Sequence, residues 1–423
     1  MQSSRIKHRI VIVIALFLSV LFFSNDFSLI DIEKTAIIVA LGIDKRGDGV
    51  EITAQIGVPQ ATDQALVNND TLISATGATV MDAIENLSKS SGWFPKLAFC
   101  NVIVFGKALA YDDVSAITDN LLASEHFQNS ALLAVCDGDA KTFLSTPTPL
   151  DSISSFAIQK VLIENGAASS GVMDTTVKAF CESNHGRNQC GYMPYIKIID
   201  GALGQDDTSS ATTSFYFKET DDNGLIDGLS SEKFRLLQSK EGKSDSKSSP
   251  TAIFDATSTA VFKNGKIVDM FSNDETVVFN LLHLPADRIV LPVKADDKKA
   301  SLEVFDSRHK ITLNYGVKPE IVLKLALTVR ILDESSGDGK NALGRRATVP
   351  QEFLDALKDK LDGTLQNLAV RILNNDTDLF GIRNITYKFH NKNYEEYKKI
   401  PLNDFVVKTD VSVNSHDNAK TNK

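Results

Sequence analysis

Cysteine is scarce in this 423-residue chain: four occur, and no two form a Cys-x-x-Cys pair. A paired-cysteine metal motif is thereby excluded. A Gly-x-Ser-x-Gly elbow and a His-Glu-x-x-His pair are missing as well, so neither a nucleophile elbow nor a zinc-protease helix can be assigned. Gly242-Lys243-Ser244 has the end of a phosphate loop without its beginning, because the position of the required glycine holds Leu237 in a polar stretch. A cationic excess is also missing. With 45 Lys and Arg against 54 Asp and Glu, the net charge of −9 argues against nucleic acid or anionic lipid as a main partner. No catalytic residue, metal or cofactor is assigned.

The strongest positive feature is the N-terminus. Arg5, Lys7 and Arg9 precede an apolar run from Ile10 to Phe23, interrupted only by Ala15 and Ser19. This order reads as a secretory signal or a signal anchor, with the N-terminus cytoplasmic and the remainder extracytoplasmic. Phe22 and Phe23 before Ser24 leave no small-residue cleavage triplet. Retention is therefore favoured. The Leu, Ile, Val and Phe residues of the run contribute about −4 to −7 kcal/mol to insertion. Ile10, Val13, Leu16, Phe17, Leu21 and Phe23 are the expected membrane-anchor residues of a segment spanning 1–30. Thr35 follows Phe23 by only twelve positions, at most about 40 Å when extended.

Cys100 and Cys136 lie in apolar runs and read as small core residues. Cys181 and Cys190 flank the polar loop Glu182 to Gln189 and are either reduced or a disulfide candidate, the bridge contributing on the order of 2 to 3 kcal/mol. His185 between them lacks the fourth ligand that zinc needs.

Periodicity predicts an α+β fold, the anchor followed by a mixed-sheet ectodomain, and the length suggests two or three domains. A hairpin is expected from Ala36 to Val58, its Asp44 to Gly49 loop being turn chemistry rather than a calcium loop, because Lys45 and Arg46 oppose a cation. Strands and helices then alternate up to a strand at Tyr195 to Ile199, which closes an N-terminal domain over 31–200. A Ser-, Thr- and Gly-rich linker over 201–250 opens a middle domain reaching 293. That domain carries a hairpin turned at Asn264-Gly265 and a helix from Asn273 to Leu282, capped by Asn273 or Asp274. A C-terminal domain over 294–410 is expected from two long strands, Ser301 to Asn314 and Glu320 to Leu332. Its clearest helix carries Leu354, Leu357, Leu361, Leu365, Leu368 and Ile372 as one core stripe, with Gly363 as the weak point. Asp378 to Gly381 is expected to turn into a final strand, Ile385 to Phe389, and residues 411–423 read as a disordered tail.

Several segments, in order, resemble the C subunits of spore germinant receptors, the Ger(x)C family. They are Thr35 to Asp44 with Gly42 and Asp44, Thr259 to Lys263 with Phe262, Gly265-Lys266, Glu275-Thr276, and Asp378 to Gly381. The resemblance implies a three-domain α+β, mixed-sheet ectodomain, non-enzymatic, on the outer face of the spore inner membrane. It also implies work beside membrane-embedded A and B subunits in nutrient-triggered germination. Family members usually carry a lipidated cysteine just after the apolar run, whereas here the first cysteine is Cys100. The run itself then takes the place of the lipid. An anchored cell-envelope hydrolase or solute-binding protein is the alternative that the anchor and ectodomain alone would support.

Overall fold

The computed structural model describes residues 12–17, 19, 35–57, 72–148, 151, 153–169, 171–201, 251–284, 289–296, 298–316, 318–335, 341–346 and 348–416. Of the anchor residues, Val13, Leu16 and Phe17 are helical and exposed, while Ile10, Leu21 and Phe23 lie outside the described residues. Among the described residues no helix is long and apolar enough to cross a membrane.

Two mixed sheets form the rest. The first uses β1 (Thr35–Arg46), β2 (Gly49–Ile56), β3 (Leu72–Gly77), β4 (Phe94–Lys96), β5 (Val102–Gly106), β6 (Leu132–Cys136), β7 (Cys190–Gly201), β8 (Thr251–Lys263) and β9 (Lys266–Phe271). Its order is β3-β2-β1-β5-β6-β7-β8-β9, with β4 pairing β1 off this path. The central pairs β1·β5, β5·β6 and β6·β7 are parallel, and antiparallel hairpins flank them on both sides. Parallel strands need cover on both faces, and this sheet has it. Along β5, Ile103 and Phe105 join one core with α1 (Val80–Ser91), α2 (Ser115–Ala123) and α5 (Val177–Asn184). Val102 and Val104 join the opposite core with α3 (Ala140–Ser145) and α4 (Ser154–Ser169).

The expected hairpins are present. Thr79 caps α1 by accepting from the Asp82 amide at 3.2 Å, and the two-residue turn at Asn264 and Gly265 takes φ of 49° and 76°. The expected middle domain, however, has no sheet of its own. β8 pairs with β7 from Cys190↔Lys263 to Gly201↔Thr251, so the chain resumes the first sheet after the polar linker. Most of that linker, 202–250, lies outside the described residues. Helix α6 (Asn273–Leu281) then leads into the second sheet, capped by Ser272 rather than Asn273 or Asp274. Ser272 and Glu275 form a reciprocal capping box.

The second sheet has the order β10-β11-β12-β13, built from β10 (Ile289–Ala295), β11 (Lys298–Tyr315), β12 (Pro319–Ser335) and β13 (Asn341–Arg346), with β14 (Val406–Ser415) parallel to β12. Alternation along β12 turns Ile321, Leu323, Leu325, Leu327, Val329 and Ile331 onto α7 (Gln351–Asn374). The whole expected Leu and Ile stripe of α7 is buried there. Gly363 has nothing within 4 Å of where a Cβ would stand, so its cost is the backbone one of a glycine in a helix, about 1 kcal/mol.

The end of the chain differs from expectation. Ile385 to Phe389 is not a strand but part of α8 (Ile382–Phe389), because Asp378 accepts the amides of Ile382 at 2.6 Å and Arg383 at 2.8 Å and starts a helix. The closing strand is β14, and it occupies part of the stretch expected to be tail. Residues 417–423 of that tail lie outside the described residues.

Candidate functional site

The motif residues are scattered in sequence, and the fold gathers them into three joints. At the first, Asp44 near the end of β1 is buried and accepts the amides of Ala140 at 2.7 Å and Lys141 at 3.0 Å. It thereby serves the orphan N–H groups of α3 from ninety-six residues away. Burial holds its carboxyl above the ordinary carboxylate range despite those two bonds. The approach is close. A Cβ on Gly106 would stand 2.1 Å from Asp44 Oδ1, and one on Gly42 would stand 3.0 Å from both Ala140 Cβ and Leu144 Cδ1.

The second joint is the β8–β9 turn. The Gly265 amide donates to Asn184 Oδ1 at 3.1 Å, its carbonyl accepts from the Val114 amide at 2.9 Å, and Asn184 Nδ2 donates to Ser115 Oγ at 3.0 Å. Behind the turn, Phe262 meets Phe180 of α5 edge to face, with centroids 5.2 Å apart. An open depression of about 280 Å³ lies beside it, lined by Ser115, Asn184, His185, Gln189 and Asn264. A second of about 270 Å³ lies at the β1–β2 turn, where Lys45, Asp48 and Asp112 are among its lining.

At the third joint, Arg371 of α7 donates from Nε to Asp269 of β9 at 2.9 Å and from Nη1 to Glu275 of α6 at 2.8 Å. Burial alone would raise the Glu275 pKa, but its bonds with Arg371 and Ser272 outweigh that and hold it below the ordinary value. Asp378 lies nearby in the chain, buried, with Gly381 in the left-handed region ahead of α8.

These groups carry the frame. Among the described residues no group of three or more His, Cys, Asp or Glu is placed to hold a metal. Burial pushes the Cys100 and Cys190 thiols up to about 12, well away from a reactive thiolate. His283 is half-buried, its pKa lowered by desolvation, with its ring nitrogens 2.9 Å from the Phe279 carbonyl and 3.3 Å from that of Leu379. The Cys181–Cys190 bridge is not formed. Cys181 sits on α5 in the core under the first sheet, while Cys190 opens β7 and packs into the core of the second. The loop between them separates two buried thiols rather than closing a ring.

Sequence reasoning found Gly265, Glu275 and Asp378 but missed Asn184, Asp269 and Arg371. Their partners lie 81 residues away for Asn184 and Gly265, and 102 for Arg371 and Asp269, and no local spacing marks such pairs.

Residues 29–198 match the family described as "Spore germination protein N-terminal domain". Residues 257–417 match the one described as "Spore germination B3/ GerAC like, C-terminal". The first joint lies within the first match and the third within the second, while Gly265 ties the second match to Ser115 and Asn184 in the first. Among solved structures, the crystal structure of the GerBC protein is similar, at 14% identity and a TM-score of 0.46, covering 91% of this chain and 99% of that one. No curated protein sequence matches this chain.

Proposed function

We infer the function from one premise: the chain belongs to the Ger(x)C family of spore germination proteins, matched in order over 29–198 and 257–417. On that premise it is a C subunit of a spore germinant receptor, associated with the spore inner membrane and with other receptor subunits. The two family matches, in one chain and in family order, are the observation that carries this reading.

Its finer role is non-catalytic. The subunit supports receptor assembly and nutrient-triggered germination beside the membrane-embedded A and B subunits, with its folded part on the outer face. The apolar run from Ile10 to Phe23 tethers it. Supporting the tether, residues 12–17 are helical, yet Ile12, Val13, Leu16 and Phe17 are each more than 60% exposed, although a helix apolar on all sides needs an apolar environment.

Purification from detergent-extracted spore membranes tests the reading. The protein is expected to emerge with two multi-span partners, to retain the Ile10 to Phe23 segment by mass, and to carry no labelled palmitate. Recovery of the protein alone contradicts the assembly role. A mature N-terminus beyond Ser24 removes the tether and leaves partner binding as the means of association.

A further inference from the structure

The first sheet leaves aromatic side chains uncovered at the place where the chain first joins it. β4 runs parallel to the start of β1, with Phe94 opposite Thr35, Pro95 opposite Ala36 and Lys96 opposite Ile37. Trp93 and Phe94 are each 46% exposed, Phe99 is 51% exposed and Ile37 is 38% exposed. The same loop is otherwise well anchored. Leu97 and Cys100 are buried in the core, and the Phe94 segment adds to an existing strand. Scattered exposed apolar residues need no explanation, but three aromatics within seven residues, beside an exposed isoleucine, form a concentrated apolar edge.

The position of this edge says what covers it. Phe94 lies one strand spacing, about 4.8 Å, from Thr35, and the apolar run ends only twelve residues earlier. A tether of at most about 40 Å keeps this edge near the bilayer that holds the run. Its composition also fits. Trp and Phe flanked by the exposed Lys96 match the aromatic and snorkelling residues of a membrane interface, and the net charge of −9 favours interfacial partition over attraction to anionic lipid. We propose that Trp93, Phe94, Phe99 and Ile37 form a second membrane contact, seated in the headgroup region of the bilayer. The proposal rests on the tether reading above. With two points of attachment, the run and this edge, the first sheet would be fixed in orientation on the membrane rather than swinging on a stalk.

Trp93 is the only tryptophan of the chain, so its fluorescence reads this edge alone. The test uses the full chain reconstituted in phosphatidylethanolamine and phosphatidylglycerol vesicles, with and without bromine on the upper acyl positions. Brominated lipid is expected to quench about half or more of the emission, as for an interfacial aromatic, and aqueous iodide to quench little. Replacing both Phe94→Ser and Phe99→Ser is expected to reduce the lipid quenching by about two-fold or more while leaving flotation intact. Flotation with no lipid quenching and full iodide quenching places the edge in water and overturns the contact alone. Flotation with protection from both quenchers means a protein surface covers the edge, which also overturns it. Failure to float with vesicles refutes the tether and this contact together.

Discussion

Gly265→Ala is expected to destabilise the chain by about 2–4 kcal/mol, seen as a lower urea midpoint at unchanged slope. Two costs add. The left-handed backbone at φ 76° costs a residue with a Cβ about 1–2 kcal/mol. The new methyl would also stand 1.9 Å from Ser115 Oγ, 2.2 Å from Asp113 Oδ1 and 2.9 Å from the Ser115 backbone nitrogen, so the turn must back away from α2. Such overpacking costs about 1–3 kcal/mol, offset in part by the lower entropy of the unfolded alanine chain. Gly47→Ala separates the two costs, because Gly47 has φ 56° and nothing within 4 Å. It should show only the backbone part, about 1 kcal/mol. Equal effects at the two glycines would mean that the turn is not seated against Ser115. Since this turn ties the second family match to the first, its loss is also expected to raise proteolysis between them.

Arg371→Ala is the second large effect, at about 2–3 kcal/mol. It leaves Asp269 and Glu275 without the cation they share, with side chains only 17% and 18% exposed. Removing one member of a buried pair costs about 3–5 kcal/mol; the lower figure reflects that the Arg371 side chain is 39% exposed. Residual bonds also remain, from Asn375 Nδ2 to Asp269 at 3.3 Å and from the Ser272 amide to Glu275 at 2.8 Å. The pH dependence has a definite sign. Glu275 is held below its ordinary value, so the unfolded chain binds more protons in acid and stability rises with pH across that window. Its contribution is fully present above the unfolded value of about 4.3 and is lost as pH falls through the lower folded value. In Arg371→Ala that acid limb should flatten. A variant with the wild-type acid limb would show that Arg371 is not what holds Glu275 ionised.

Where sequence legibility was high, one local rule sufficed. The α7 stripe repeats over about five turns, and Asn264-Gly265 is a two-residue turn whose chemistry admits few alternatives. Both were read from the residues alone. Ile385 to Phe389 shows the opposite case, because Ile, Thr, Tyr and Phe favour strands while the deciding contact is the Asp378 carboxylate four residues before Ile382. Thr386 then fits the helix by donating its hydroxyl to the Ile382 carbonyl at 2.6 Å. The middle of the chain misled for a topological reason. A polar linker marks a break in sequence, yet β8 returns to pair with β7, and only the register of that pairing shows that the first sheet continues. Asp44, Gly265 and Glu275 were legible as motif residues, but Ala140, Asn184 and Arg371, which they seat against, were not.

Service in a germinant receptor is tested by deleting the gene of this chain in frame in the spore-forming host and following spore germination in response to nutrients by the fall in optical density. Loss of the response to at least one nutrient is expected, restored by the full chain, with germination intact for triggers that bypass receptors. Unchanged responses to every nutrient that germinates the parent spores would contradict it.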